Sequence, residues 1–212
     1  LCLVGSEMCI RDSIWATQAL NRFDLEAAKE LTRSKSFKAR AGALRALYYD
    51  APRTEGLIAL AESAVSDSSE QVRLWGVSLL AQLDSPMTVP LALKALDGIE
   101  ADDFLDFAVW SICREHRDRW ADEMKEKGKN PFANLSQLLF ASSAIGERLG
   151  ADRILASLSE GKIKDDQTVW EIANWMANEG SPSHLSKLLG LASQTKSVTR
   201  QHAYLNALLT AK

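Results

Sequence analysis

The sequence predicts an all-α fold, an α-α superhelix of stacked helix pairs, and three observations predict it. Apolar residues recur at helical spacing along almost the whole chain, and no run alternates apolar and polar as a half-buried strand would. A mid-helix pattern returns after 33 residues, the length scale of a two-helix repeat. Finally, residues 101–120 (ADDFLDFAVWSICREHRDRW) are apolar around much of a helical circumference. Phe104, Phe107, Ala108 and Ile112 line one face, and Leu105, Val109, Trp110 and Cys113 line the neighbouring angles. A helix of that kind needs cover on more than one side. It is expected to be an inner member of the stack.

The bulk numbers bound the function classes. A chain of 212 residues can bury a substantial core, and 46% hydrophobic with 25% charged residues is ordinary for a globular protein. A net charge of -3 argues against a phosphate-binding surface, so no nucleic-acid partner is expected. No apolar run is long enough to cross a bilayer. Three cysteines, none in a CxxC or CxxCH pattern, are too few for a disulfide framework and leave the compartment open. Cys113, inside an apolar helix, reads as a small core residue.

In order, residues 1–12 (LCLVGSEMCIRD) match nothing that follows. Glu7 breaks the apolar run and Arg11 comes too late for a signal peptide. The stretch resembles the peptide produced when sequencing-adapter DNA is translated at the ends of assembled environmental reads. It is expected to be a non-native leader, and the chain, which also stops mid-helix, a fragment.

Residues 13–127 are expected to hold four helix pairs. The first covers 13–23 and 25–32, with Asp24 capping its second helix. The second covers 37–49 and 55–65, where Pro52 stops one helix and Thr54 caps the next. A third covers 70–83 and 88–96, split by Asp84-Ser85-Pro86. The fourth begins at Asp103 and continues with a charged helix over 120–127. Residues 128–212 carry on the same rhythm with a weaker repeat. Asn130-Pro131 starts a helix over 135–145, Gly150-Ala151-Asp152 starts one ending before Gly161, and Asp165-Asp166 start the next. Gly180-Ser181-Pro182-Ser183 opens 184–192, and the last helix is 198–209.

Within this series, Ala39-Arg40 and the helix after it lie on Val72-Arg73 at a shift of 33, and Phe104-Leu105 takes the same place 32 residues later. Small residues recur mid-helix at Ala43 and Gly76, where neighbouring helices would approach closely. Through these residues the chain resembles HEAT repeats, which form solenoids. In that family the arginine opens the inner half of the repeat and pairs with an acidic turn residue, a role that Asp67 suits for Arg73. The resemblance implies that Arg40, Asp67 and Arg73 brace turns and do not bind a ligand. Leu105 replaces the arginine in the next repeat.

Candidate chemistry is thin. His116, His184 and His202 stand in no metal-ligand spacing. Asp102, Asp103 and Asp106, like Asp165, Asp166 and Glu171, sit mostly in first helical turns, where carboxylates favour the helix dipole. No GxGxxG, Walker A or GxSxG pattern occurs. The six tryptophans read mainly as packing. Trp120, between Arg119 and Ala121-Asp122, is the candidate for an exposed contact.

The segment Asp102 to Ala108, running on to Arg114-Glu115 and Arg119-Trp120, also resembles part of the PVC-type dehydrogenases of planctomycetes and relatives. Those proteins join a sugar-dehydrogenase-like β-propeller to a HEAT array and a cytochrome c domain. The resemblance implies a periplasmic or secreted parent oxidoreductase, with its catalytic and haem residues outside this chain. The expected role is a non-catalytic scaffold or spacer, without a cofactor of its own, contacting a protein or neighbouring domains. The contrasting reading is a HEAT-like DNA-base glycosylase. It needs a basic concave face, which Glu26, Lys29, Glu30, Glu55, Glu62 and Lys94 do not supply.

Overall fold

The computed structural model describes residues 16, 19–20, 23–50, 56–98, 102–127, 131–146 and 150–211. The expected leader, the Pro52 and Thr54 boundary, Trp15 and Asn130 lie outside the described residues. Among the described residues the regular elements are twelve α-helices and no strand, so the protein is all-α. None of these helices is long and apolar enough to cross a membrane. The chain divides into two compact units, 1–116 and 117–212.

In the first unit the helices are α1 (Leu25–Leu31), α2 (Phe37–Asp50), α3 (Gly56–Val65), α4 (Glu70–Ala81), α5 (Thr88–Lys94) and α6 (Asp103–Glu115). Helices α2, α4 and α6 pack side by side, α3 packs on α4 and α5, and α5 also packs on α4 and α6. Helix starts follow local chemistry. Asp24 accepts a hydrogen bond from the Ala27 N–H (3.0 Å), and Asp102 accepts one from the Leu105 N–H (2.7 Å). Each satisfies an N–H that has no partner within its own helix.

The α3–α4 contact is close because Gly76 has no side chain. A Cβ built there would stand 2.8 Å from Ala64 Cβ and 3.1 Å from the Val65 nitrogen. Buried Val72, Val77, Leu79 and Leu80 make α4 the centre of this unit's core. At 25 cal/mol per Å², each such side chain contributes roughly 1.5–3 kcal/mol.

Helix α6 departs from the expectation of cover on more than one side. Its buried stripe is Leu105, Val109, Ile112 and Cys113, facing α4 and α5. Phe104 is 77% exposed, Phe107 66% and Trp110 38%. The reason is angular: at 100° per residue, positions 105, 109, 112 and 113 gather on the side away from 104, 107 and 110. One side suffices to bury the first set.

The second unit contains α7 (Arg117–Lys127), α8 (Leu135–Ile145), α9 (Ala151–Ser159), α10 (Asp166–Glu179), α11 (Pro182–Gln194) and α12 (Val198–Thr210). Helix α10 is the hub, packing on α8, α9, α11 and α12 through buried Val169, Ile172, Ala173 and Met176. Asp165 caps it by accepting from the Thr168 N–H (2.7 Å). Ser181 caps α11 with Pro182 in its first turn.

In both units, side chains meet across 32 to 35 residues of sequence. Glu62 and Lys94 are 2.8 Å apart, and Gln82 Nε2 lies 3.4 Å from the Tyr48 hydroxyl. Asp152 and Lys187 are 3.0 Å apart, and Asp166 and Arg200 are 2.8 Å apart.

Candidate functional site

The arginines singled out by the repeat pattern converge on one turn. Arg40 Nε donates to Asp67 Oδ2 and its Nη2 to Oδ1, both at 2.7 Å. Arg40 Nη1 reaches back to the carbonyls of Ser34 (2.9 Å) and Lys35 (3.0 Å). Asp67 Oδ1 also accepts from the Ser69 N–H at 2.9 Å. Arg73, which is buried, donates from Nε to the Asp67 carbonyl and from Nη1 to the carbonyls of Ala95 (2.9 Å) and Asp97 (2.8 Å).

The expected partner is thus corrected: the carboxylate of Asp67 pairs with Arg40, while Arg73 holds main-chain carbonyls of two turns. The cause is the bidentate fit of one guanidinium to one carboxylate, which leaves the second arginine to serve carbonyls. Burial pushes the Asp67 carboxyl up. The Arg40 and Ser69 hydrogen bonds and the charges of Arg40 and Arg73 outweigh that, so it lies below the ordinary carboxylate range.

A cavity of about 270 Å³ opens beside this turn, lined by Thr32, Arg33, Leu60, Ser63, Asp67 and others. Its one carboxylate is already engaged by Arg40 and Ser69, so the turn is braced by this geometry and not poised for acid–base work.

Trp120 is not an exposed contact. It is 1% exposed, with its ring edge-on to Phe132 at 5.2 Å between centroids. The charged neighbours in sequence misled because successive helical residues point 100° apart, so Arg119 faces differently from Trp120. Exposed aromatic surface lies elsewhere, on α6. There Phe107 and Trp110 stack at 5.9 Å, and the Arg114 guanidinium lies 4.6 Å from the Trp110 ring centre. On α2 and α4, Arg45 lies 5.9 Å from the Trp75 ring and 6.0 Å from that of Tyr49. The signal for the α6 surface was present in the spacing 103, 107, 110, 114, which marks one stripe of a helix.

Asp102 and Asp165 are caps. Burial, then the charges of Asp102 and Asp103, push the Asp106 carboxyl up. Cys113 is fully buried, and burial pushes its thiol up to about 12, far from a reactive thiolate. His184 is a buried capping residue, and His202 is exposed on α12. No group of three or more His, Cys, Asp or Glu among the described residues is arranged to hold a metal ion. Comparison with protein-family models, curated proteins and solved structures returns no match for this chain.

Proposed function

We propose that the chain is a HEAT-like helical-repeat solenoid acting as a protein-interaction scaffold or spacer, with no catalytic role of its own. The observation that carries this reading is the set of contacts 32 to 35 residues apart: Tyr48–Gln82, Glu62–Lys94, Asp152–Lys187 and Asp166–Arg200. Residues one repeat apart touch when equivalent helices lie side by side, which is the geometry of stacked repeats. The Arg40 and Arg73 clamps support it further, since each reaches forward 22 to 27 residues into a following turn.

Excising residues 36–68, one shift of 33 that rejoins Lys35 to Ser69, tests the proposal. A repeat array heals around such a deletion and still melts cooperatively at lower stability. A single bundle loses its core and its helical circular dichroism, and that result would sink the reading.

The segment Asp102 to Ala108 favours a second reading, in which the array belongs to a PVC-type dehydrogenase whose catalytic domains lie outside this chain. Sequencing the flanking genomic DNA tests it. An in-frame CxxCH supports it, and stop codons on both sides end it.

A further inference from the structure

The cavity of about 270 Å³ in the first unit has a lining of two kinds. Its apolar part is Leu44 and Val72, which belong to the buried core, and half-buried Leu60 of α3. Its polar part is Thr32, Arg33, Ser63 and Asp67. Two of these four are already engaged. Both Asp67 carboxylate oxygens accept from Arg40, and the Thr32 hydroxyl donates to the Lys29 carbonyl at 2.7 Å. Arg33 and Ser63 differ. Both are exposed, and among the described residues neither side chain makes a hydrogen bond or an ion pair.

We infer that this cavity binds a small organic acid, its carboxylate on Arg33 and Ser63 and its short apolar tail against Leu44, Leu60 and Val72. Charge selects an anion. Arg33 lines the cavity, and Arg40 and Arg73 hold the turn of Asp67, so the guanidinium groups outnumber the one carboxylate of the lining. A cationic ligand would be repelled by Arg33 and would find that carboxylate already paired with Arg40. A guanidinium offers a planar fork of N–H donors that a carboxylate accepts in two parallel hydrogen bonds. The Ser63 hydroxyl has a proton to add one more. Apolar walls with a few polar groups that fix orientation are the common form of a small-molecule site.

Volume sets the size of the ligand and its affinity. The cavity lies just below the ~300 Å³ at which sites for drug-sized molecules begin, so the tail is a short branched chain. An acid of roughly eight non-hydrogen atoms binds with a dissociation constant of about 1 mM at ordinary ligand efficiency. Because Arg33 is exposed, salt weakens its share of the binding.

An NMR titration of the isotope-labelled full chain with isocaproate, at low salt and up to about 20 mM, tests it. Saturable shifts are expected at the amides of Arg33, Ser63 and Val72. Isohexanol, which keeps the tail without the charge, and acetate, which keeps the charge without the tail, should each bind about tenfold more weakly. Arg33→Gln should weaken isocaproate about tenfold and bring it level with isohexanol, with helical circular dichroism unchanged. Ala59 also lines the cavity and is exposed, so Ala59→Phe should fill the space and abolish binding while Arg33 stays in place. Absence of saturable shifts in the wild type overturns the inference. Isohexanol binding as tightly as isocaproate, or an unchanged affinity in R33Q, overturns the choice of an acid. Binding to A59F at wild-type strength overturns the cavity as the site.

Discussion

Both carboxylate oxygens of Asp67 lie 2.7 Å from nitrogens of Arg40, a residue 27 positions earlier and one helix pair back. Arg40→Ala leaves a part-buried carboxylate with only the Ser69 N–H and the charge of Arg73, and should cost about 2–3 kcal/mol in urea unfolding. Arg40→Lys keeps the charge but loses the fork, so about 1 kcal/mol is expected. Equal losses for the two variants would assign the effect to packing of the arginine stem and not to the bidentate pair.

The same pair predicts an acid limb. The Asp67 carboxyl is held below its ordinary value of 3.8, so on acidification the unfolded chain takes up this proton first. Its contribution is complete above the ordinary carboxylate range and is lost as pH falls through 3.8 toward the folded-state value. Asp67→Asn should lower stability at neutral pH and flatten that part of the profile. An unchanged slope below pH 4 would contradict the linkage.

Gly76→Ala sets helix propensity against packing. Alanine gains about 1 kcal/mol in a helix interior, yet its Cβ would sit 2.8 Å from Ala64 Cβ and 3.1 Å from backbone nitrogen. The backbone of α3 cannot move aside without shifting the whole helix, so packing wins and a net loss of about 1–2 kcal/mol is expected. In a double-mutant cycle, Ala64→Gly should recover part of it through favourable coupling. A more stable G76A protein would mean that α3 can shift away from α4 at little cost.

Trp120→Ala should cost about 3–5 kcal/mol, because a nearly fully buried indole leaves a cavity beside Phe132. Trp120→Phe should cost less than half of that. Loss of the tryptophan without a change in thermal midpoint would place the ring in solvent.

Trp120 also marks where sequence reasoning runs out. Features set by a few neighbouring residues were legible. Asp24 caps its helix as its position predicts, Asp102 and Asp165 stand at the helix starts to which the acidic clusters pointed, and Gly76 sits at the close approach its spacing with Ala43 suggested. Features set by tertiary neighbours were not. Nothing local to Asp67 distinguishes Arg40 from Arg73 as its partner, because the choice depends on where a turn 27 residues away lands. Helix α6 is apolar on two sides, and periodicity could not tell which side a neighbour would cover. The structure covers Leu105 and Val109 and leaves Phe104 and Phe107 bare.

The start of α11 offers a further test, because His184 performs two tasks with two nitrogens. Its Nδ1 accepts from the Ser181 N–H at 3.1 Å, while Ser181 Oγ accepts from the His184 N–H, closing a capping box. With Nδ1 accepting, Nε2 is the nitrogen left to carry the proton, and it faces Asp152 Oδ1 at 3.4 Å beside Lys187. Glutamine at this position keeps an acceptor for the Ser181 N–H, so His184→Gln should lose about 0.5 kcal/mol and His184→Ala about 1–2 kcal/mol. Ser181→Ala should cost about 1 kcal/mol alone. Because the two hydrogen bonds define one cap, S181A/H184A should cost less than the sum of the single changes. Strict additivity would mean that the two bonds act independently, and that His184 stabilises α11 chiefly by filling space.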